Sequence, residues 1–190
     1  MKTVKHTIVA LVENKPGVLN LIANKWRQRG FNIESLAVGH SEVPGLSRMT
    51  FVVDGATTDV EQVTKQLYKI IEVVKMTDLT DEDMVARELA LIKVSASPAN
   101  RSGVIEVVDI FRADIIDVSP ESVIVQVTGT EDKVDAIIEM LRPYGIRELV
   151  RTGRVAMTRG AAATIESAEG AKPLRFRPAG EGKPRVGSLL

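Results

Sequence analysis

The feature that most constrains the fold of this 190-residue chain is an order of strand-like and helix-like patterns that occurs twice. In the first half, β-branched apolar runs predict four strands, and apolar residues at three- and four-residue spacing predict two helices. The strands are predicted at residues 6–13, 32–42, 47–55 and 73–79. The helical stripes are Val18, Leu19, Ile22, Ala23 and Trp26, then Val60, Val63, Leu67 and Ile70. Gly30 is predicted to end the first helix, and Thr58 with Glu61 to form a capping box for the second.

The second half repeats this order with different residues. Strands are predicted at residues 89–96, 114–119, 122–129 and 146–160. One helix, capped by Ser102, would bury Val104, Val107, Val108 and Phe111, and the other Val134, Ile137, Ile138 and Leu141. We therefore predict an α+β chain of two ferredoxin-like βαββαβ units, at residues 1–80 and 86–160, around an acidic connector at 80–88.

The last thirty residues differ in character from both units. Residues 161–190 are rich in Ala, Gly, Pro and charge and show no sustained apolar period. Such a segment cannot bury enough apolar surface to fold alone, so we predict a mobile, disordered tail.

Composition and motifs exclude several classes of function. The 25 basic and 25 acidic residues cancel, and aromatic residues make up only 4% of the chain, which argues against nucleic-acid binding. The chain has no cysteine, no apolar run that could span a bilayer and no signal peptide, so we expect a cytoplasmic protein without membrane contact. His6 and His40 are scattered, and no catalytic triad, metal-ligand spacing or nucleotide-binding loop is visible. We therefore expect a non-catalytic chain.

The corner after the first strand is a candidate binding site. In "VENKPGVLNL" (residues 12–21), Asn14, Pro16 and Gly17 join a strand directly to a helix. Such a corner presents backbone N–H groups at the positive end of a helix, which suits a small carboxylate ligand. An ordinary tight turn explains the same residues, because proline and glycine are common in turns.

The first strand and the strand at 32–39 both suggest self-association. "NIESLAVG" would be an edge strand without a proline or a lysine to prevent pairing, and the first strand is apolar on both faces. A two-fold dimer would pair the edges and cover the second face. It would also bring Asn32 of one copy near the Asn14–Gly17 corner of the other, where Val18 and Ile33 could line a small apolar pocket.

Several stretches resemble the small, regulatory subunits of acetolactate synthase (acetohydroxyacid synthase), a family that contains ACT domains. They are "VENKPGVLNLIANKWRQRGFNIESLAVG", "LSRMTF", "FRADIIDVSPES" and "RTGRVAMTRG". The resemblance implies that valine binds between two ACT domains, at Asn14, Gly17, Val18, Asn32 and Ile33. The second unit lacks a matching Asn-x-Pro-Gly corner, so we expect no amino-acid site there.

The resemblance also implies a function and a partner. The family's small subunit activates a separate large catalytic subunit, which holds thiamine diphosphate, Mg²⁺ and FAD, and makes it sensitive to feedback inhibition by valine. This chain would then carry no cofactor, no metal and no catalytic residues of its own. The alternative is a free-standing amino-acid sensor of the same fold, acting on another target such as a transcriptional regulator.

Overall fold

The computed structural model describes residues 4–55 and 57–160, and these form two sheets with helices packed on them. The first unit consists of β1 (Val4–Glu13), α1 (Val18–Gln28), β2 (Asn32–His40), β3 (Leu46–Gly55), α2 (Thr57–Leu67) and β4 (Val73–Asp78). The second consists of β5 (Met84–Ser95), α3 (Arg101–Ile110), β6 (Asp114–Val118), β7 (Ser122–Gly129), α4 (Glu131–Leu141), a 3₁₀ turn (Arg142–Tyr144), β8 (Ile146–Arg151) and β9 (Val155–Thr158).

Both sheets are antiparallel and have the strand order that the βαββαβ pattern requires. The first sheet has the order β2-β3-β1-β4, and the second has the order β6-β7-β5-β8, with β9 paired to β5. The predicted α+β class with two ferredoxin-like units is confirmed. In the first sheet β2 lies at an edge, as predicted.

Each unit has its own core between its helices and one face of its sheet. In the first core, Trp26 of α1 is fully buried and meets Phe31 edge-to-face, with ring centroids 5.5 Å apart. The predicted stripe residues Val60, Val63 and Leu67 are buried there as well. The second core contains the predicted stripe residues of α3 and α4, so the helical spacing located the buried faces correctly.

Two helix starts differ from the prediction. Helix α3 begins at Arg101 with Asn100 at its N-cap, because the Arg101 N–H already donates to the Ser97 carbonyl over 2.9 Å. Ser102 therefore lies inside the helix and is not its cap. Helix α2 begins at Thr57, which places Thr58 in its first turn instead of at a cap.

The strands near the unit boundary also differ. The predicted final strand at 146–160 is divided into β8 and β9 by a bend at Gly153, where φ is +80°. After this bend β9 pairs with Met84–Arg87, so β5 begins inside the stretch that was assigned to the acidic connector. Arg87 and Glu88 interrupt the apolar pattern here, so the sequence does not indicate this part of the strand. Residues 161–190, predicted to be a tail, lie outside the described residues.

The second apolar face of β1 is covered by the same chain. Val9 and Leu11 form a buried cluster with Ala156 of β9, and Met84 of β5 packs against it. Arg48 of β3 adds a hydrogen bond from Nη2 to the Ala156 carbonyl over 3.1 Å. The expectation that a second copy covers this face is therefore wrong, because the paired strands β5 and β9 already lie against it.

Candidate ligand-binding site

The corner after β1 is an exposed turn held by backbone hydrogen bonds. The Asn14 N–H donates to the Gly45 carbonyl over 2.9 Å, and the Lys15 N–H donates to the Glu13 carbonyl over 3.0 Å. Lys15 Nζ forms an ion pair of 2.5 Å with the Glu13 carboxylate. Asn14, Lys15, Pro16 and Gly17 are all exposed, so the corner is open to a ligand.

Gly17 is the N-cap of α1 and has the left-handed conformation, with φ of 88°. A Cβ atom at this position would meet no atom within 4 Å, so glycine satisfies the backbone conformation and not a close contact. The first helical bond runs from the Leu21 N–H to the Gly17 carbonyl over 3.0 Å. Within the described residues, the N–H groups of Gly17, Leu19 and Asn20 have no hydrogen-bond partner. These donors at the positive end of α1 can bind a carboxylate.

Val18 and Ile33 are part of the first core. Val18 is 3% exposed and belongs to the buried cluster, and Ile33 is half-buried against it. In a single chain, therefore, their side chains do not form an open pocket wall beside the corner.

Asn32 lies at the opposite end of the sheet from the corner. It pairs with Asp54 of β3, which pairs in turn with Lys5, whereas the corner follows Glu13 at the other end of β1. Glu13 lies eight residues beyond Lys5 along β1, a length of about 26 Å. A single chain therefore does not bring Asn14 and Asn32 to one ligand. Neither side chain has a hydrogen-bond partner within the described residues.

A network of ion pairs beside β2 connects the two units, and sequence reasoning missed it. Arg151 binds Glu88 through two hydrogen bonds of 2.6 and 2.7 Å, and Glu88 is only 7% exposed. The hydrogen bonds that Arg151 donates to Glu88 and Asp135 raise its pKa above the ordinary value, although burial acts against this. The partners of Arg151 are distant in sequence, so no local pattern indicates the network. The stretch "RTGRVAMTRG", which contains Arg151 and Arg154, stands out in the sequence only for its resemblance to the family.

Glu131, at the start of α4, is the carboxylate through which these ion pairs join the two units. Its partners are Lys5, at 3.1 Å, and Arg154. Burial opposes ionisation of the Glu131 carboxyl, but hydrogen bonds and charges from these two cations outweigh burial and lower its pKa. The hydrogen bonds of Lys5 to Glu34 and Glu131 raise the pKa of Lys5.

Two open cavities lie along β2. The first, of about 340 Å³, lies beside the ion pairs and is lined by Glu34, Ser35, Leu36, Val52, Glu88, Glu131, Arg151, Thr152, Gly153 and Arg154. The second, of about 390 Å³, is more apolar and is lined by Ala37, Val38, Gly39, His40, Arg48, Thr50, Val85, Arg87, Val155, Ala156 and Met157. Both lie between residues of the first sheet and residues of the second unit.

The described residues offer neither a metal site nor a membrane-spanning helix. Residues 4–55 and 57–160 contain no cluster of histidine and acidic side chains that could hold a metal ion. None of the helices in this part of the chain has the length and apolar character to cross a membrane.

The fold and the corner define a protein that carries an ACT domain. Residues 8–75 match the family model described as an AHAS small subunit-like ACT domain, and residues 87–160 match the model of the small subunit of acetolactate synthase. The chain belongs to the family of acetolactate synthase small subunits, which confirms the resemblance.

Related proteins agree with this family. The "Probable acetolactate synthase small subunit" of Archaeoglobus fulgidus is 58% identical over 156 residues, which are 82% of this chain and 98% of that protein. The acetolactate synthase small subunit of Bacillus subtilis is 50% identical over 157 residues, which are 82% of this chain and 91% of that protein. The crystal structure of the small subunit from Thermotoga maritima is 45% identical, with a TM-score of 0.77, and the match covers 84% of this chain and 99% of that one.

Proposed function

We propose that this chain is the non-catalytic regulatory subunit of an acetolactate synthase, which activates the large catalytic subunit and makes it sensitive to inhibition by valine. The family membership supports a large subunit as the partner. In this proposal the catalytic subunit holds the thiamine diphosphate, Mg²⁺ and FAD, and this chain holds no cofactor. The chain takes part in branched-chain amino-acid synthesis as the sensor of an end product.

The observation that carries the proposal is the open group of backbone donors around Gly17. The carboxylate of valine would accept hydrogen bonds from the free N–H groups of Gly17, Leu19 and Asn20. The side-chain amides of Asn14 and Asn32 would bind the charged groups of the amino acid. Their lack of other partners within the described residues favours this role.

The separation of Asn14 and Asn32 makes a second copy part of the site. If two β2 edges pair antiparallel around a two-fold axis at Leu36, Asn32 of one copy lies opposite His40 of the other. His40 pairs with Ser47, and Ser47 pairs with Val12, two residues before Asn14. A homodimer of this geometry would therefore complete a valine site at each end of the paired edges.

Valine titration by calorimetry tests the proposal. We expect valine to bind the chain alone, and we expect the catalytic subunit to be activated by the chain and inhibited again as valine is added. Titrations with leucine and isoleucine in parallel define the specificity. Activation of the catalytic subunit without valine binding would contradict the ligand site. Valine binding without association with the catalytic subunit would instead favour a free-standing sensor.

A further inference from the structure

A close polar contact joins β2 to the bend between β8 and β9. The Arg154 N–H donates to Ser35 Oγ over 2.8 Å. At the neighbouring Gly153, φ is +80° and a Cβ atom would lie only 2.4 Å from the same oxygen. A larger residue would be strained at this position and would collide with Ser35, so the bend and the edge strand approach as closely as a glycine allows.

The side chain of Arg154 extends this contact into both units. Nη1 donates to Thr7 Oγ1 of β1 over 2.8 Å, and Nη2 forms an ion pair with Glu131. Lys5 Nζ lies 2.9 Å from Glu34 and 3.1 Å from Glu131. One carboxylate of α4 therefore binds a cation from each unit. We call Ser35, Gly153, Arg154 and Glu131 the inter-unit contact.

On the side of the first unit, the inter-unit contact lies at an irregularity of β2. The pairing of β2 with β3 changes register between Ile33 and Ser35, which is a β-bulge. The extra residue at a bulge is left unpaired, and the strand bends and twists more strongly there. Asn32 and Ile33, two of the proposed ligand contacts, immediately precede the bulge. The proposed ligand contacts and Ser35 therefore lie on one short, bulged segment of β2.

On the side of the second unit, the bend is fixed to the sheet and to α4. Arg151, two residues before Gly153, binds Glu88 of β5 through two hydrogen bonds and Asp135 of α4 over 2.7 Å. The bend is thus joined through Arg151 to β8, β5 and α4.

The two units are also attached by an apolar contact that does not involve these polar residues. Val9 and Leu11 of β1 are buried together with Ala156, and Met84 packs against them. Removal of the inter-unit contact should therefore leave the units attached, which allows transmission to be tested apart from assembly.

We propose that the inter-unit contact transmits ligand occupancy from β2 to the C-terminal unit. This inference rests on the proposed function, because it takes Asn32 of β2 as a ligand contact. Coupling between sites requires an element with two arrangements that both sites influence. In this proposal that element is the bulged segment of β2 together with the bend that packs on it. Arg154 and Ser35 are positioning residues in this scheme and do not touch the ligand.

Amide hydrogen exchange of the full-length chain, with and without saturating valine, tests transmission directly. In the wild type, valine should slow exchange at residues 14–20 and 32–36 and also change exchange at residues 131–136 and 150–156. In Arg154→Gln and in Ser35→Ala, the first response should persist and the second should be lost. With the catalytic subunit present, both variants should still activate it, but its residual activity in saturating valine should rise several-fold.

A matched control removes a similar ion pair from the second unit only. Arg142 Nη2 lies 2.6 Å from Glu139, and both side chains are exposed. Arg142→Gln should therefore keep both exchange responses and full inhibition. Arg154→Lys, which retains a cation for Glu131, should restore part of the second response. If thermal unfolding shows that Arg154→Gln does not fold, Ser35→Ala decides the test.

The outcomes separate this inference from the function on which it rests. If both variants respond like the wild type at residues 131–136 and 150–156, transmission through the inter-unit contact is wrong and the proposed function stands. If a folded Arg154→Gln loses the response at residues 14–20 as well, Arg154 maintains the ligand site and the inference is also wrong. If wild-type protein shows no response at residues 14–20 and no inhibition by valine, the proposed function fails and the inference fails with it.

Discussion

Gly17 combines a left-handed backbone with open space beside its Cα atom, and these two properties affect a ligand differently. Gly17→Ala should lower the free energy of unfolding by about 1–2 kcal/mol, because a Cβ atom is unfavourable in this conformation. Gly17→Asp should in addition abolish valine binding. Its carboxylate would fill the space beside the N–H groups of α1 and would repel the carboxylate of valine. Thermal unfolding and calorimetry measure the two effects.

Gly30 provides the matched control for Gly17. It has φ of +75° and also has no atom within 4 Å of an added Cβ, but it lies at the other end of α1. Gly30→Ala should therefore cost similar stability and leave the affinity for valine unchanged. Tight binding of valine to Gly17→Asp would exclude the corner as the ligand site.

The two asparagines are predicted to contribute to binding from different copies of the chain. A hydrogen bond to a charged group contributes roughly 1.5–3 kcal/mol, so Asn14→Ala or Asn32→Ala should each raise the half-inhibitory valine concentration about tenfold or more. Activation without valine should persist, because both side chains are exposed and unpartnered within the described residues. The assay is the activity of the catalytic subunit across a valine series.

Asn24 serves as the control for these substitutions. It lies on α1 and donates to Asn20 over 3.2 Å, one turn beyond the corner. Asn24→Ala should leave the inhibition curve unchanged. Unchanged curves for Asn14→Ala and Asn32→Ala would place the ligand elsewhere.

At the level of single residues, sequence patterns predicted what depends on local backbone and missed what depends on distant partners. The proline–glycine pair indicated a helix start, and Gly17 has the positive φ that only glycine adopts easily. The role of Arg154 depends on Ser35, which is 119 residues away, and on Thr7, which is 147 residues away. No spacing rule connects residues so far apart.

Among the elements, β2 carries the prediction of self-association. Its outer edge has no partner strand within the described part of the chain, and Ala37 lies in its middle opposite Thr50 of β3. Ala37→Glu should weaken dimers that form through this edge, because pairing would bring two like charges together near the two-fold axis. It should also weaken valine binding, since each proposed site takes Asn32 from the second copy. Sedimentation at micromolar concentration measures the association.

The corresponding edge of the second sheet provides a control. Ile116 of β6 is 50% exposed, and β6 is an edge strand of that sheet. Ile116→Glu should leave the dimer intact. A wild-type protein that sediments as a monomer would contradict the proposed edge pairing, and dissociation by Ile116→Glu alone would assign the interface to β6.

Apolar periodicity predicted the helices more reliably than the ends of the strands. Each helix has a stripe that must face a sheet, and most residues of these stripes lie in the two cores. The assignment of Leu19 to the buried face of α1 is wrong, because its side chain is 41% exposed. The start of β5 could not be predicted, because Arg87 and Glu88 interrupt the apolar pattern there. Glu88 is buried since Arg151 neutralises it, and Met84–Arg87 are a strand since β9 supplies their partner. Both reasons lie in tertiary structure.

In the whole molecule, the two units depend on each other through the second face of β1. Val9, Leu11, Leu46 and Leu79 are at most 3% exposed, and Ala156 of β9 completes their cluster. Full burial of an aliphatic side chain contributes roughly 1.5–3 kcal/mol, so partial exposure of several of them is a substantial loss. The N-terminal unit alone is therefore less independent than its complete fold suggests.

A chain that ends at Thr80 should show this dependence. It lacks β5 and β9, so we expect a lower unfolding temperature and aggregation through the uncovered face. Val9→Thr with Leu11→Thr in the same short chain should restore solubility, because threonine suits a strand and tolerates water. If the unaltered chain of residues 1–80 were as stable and soluble as the full chain, the apolar contact between the units would contribute little.

The soluble short chain then separates activation from inhibition. If the N-terminal unit contacts the catalytic subunit, residues 1–80 with the two threonines should still activate it measurably. Inhibition should be reduced even at saturating valine, because the C-terminal unit, which we propose receives the signal from β2, is absent. Residues 1–160 provide the control, since both matched family models and all contacts described above lie within them. That chain should keep both activation and inhibition, and loss of activation on removal of residues 161–190 would show that the last thirty residues take part in binding the catalytic subunit.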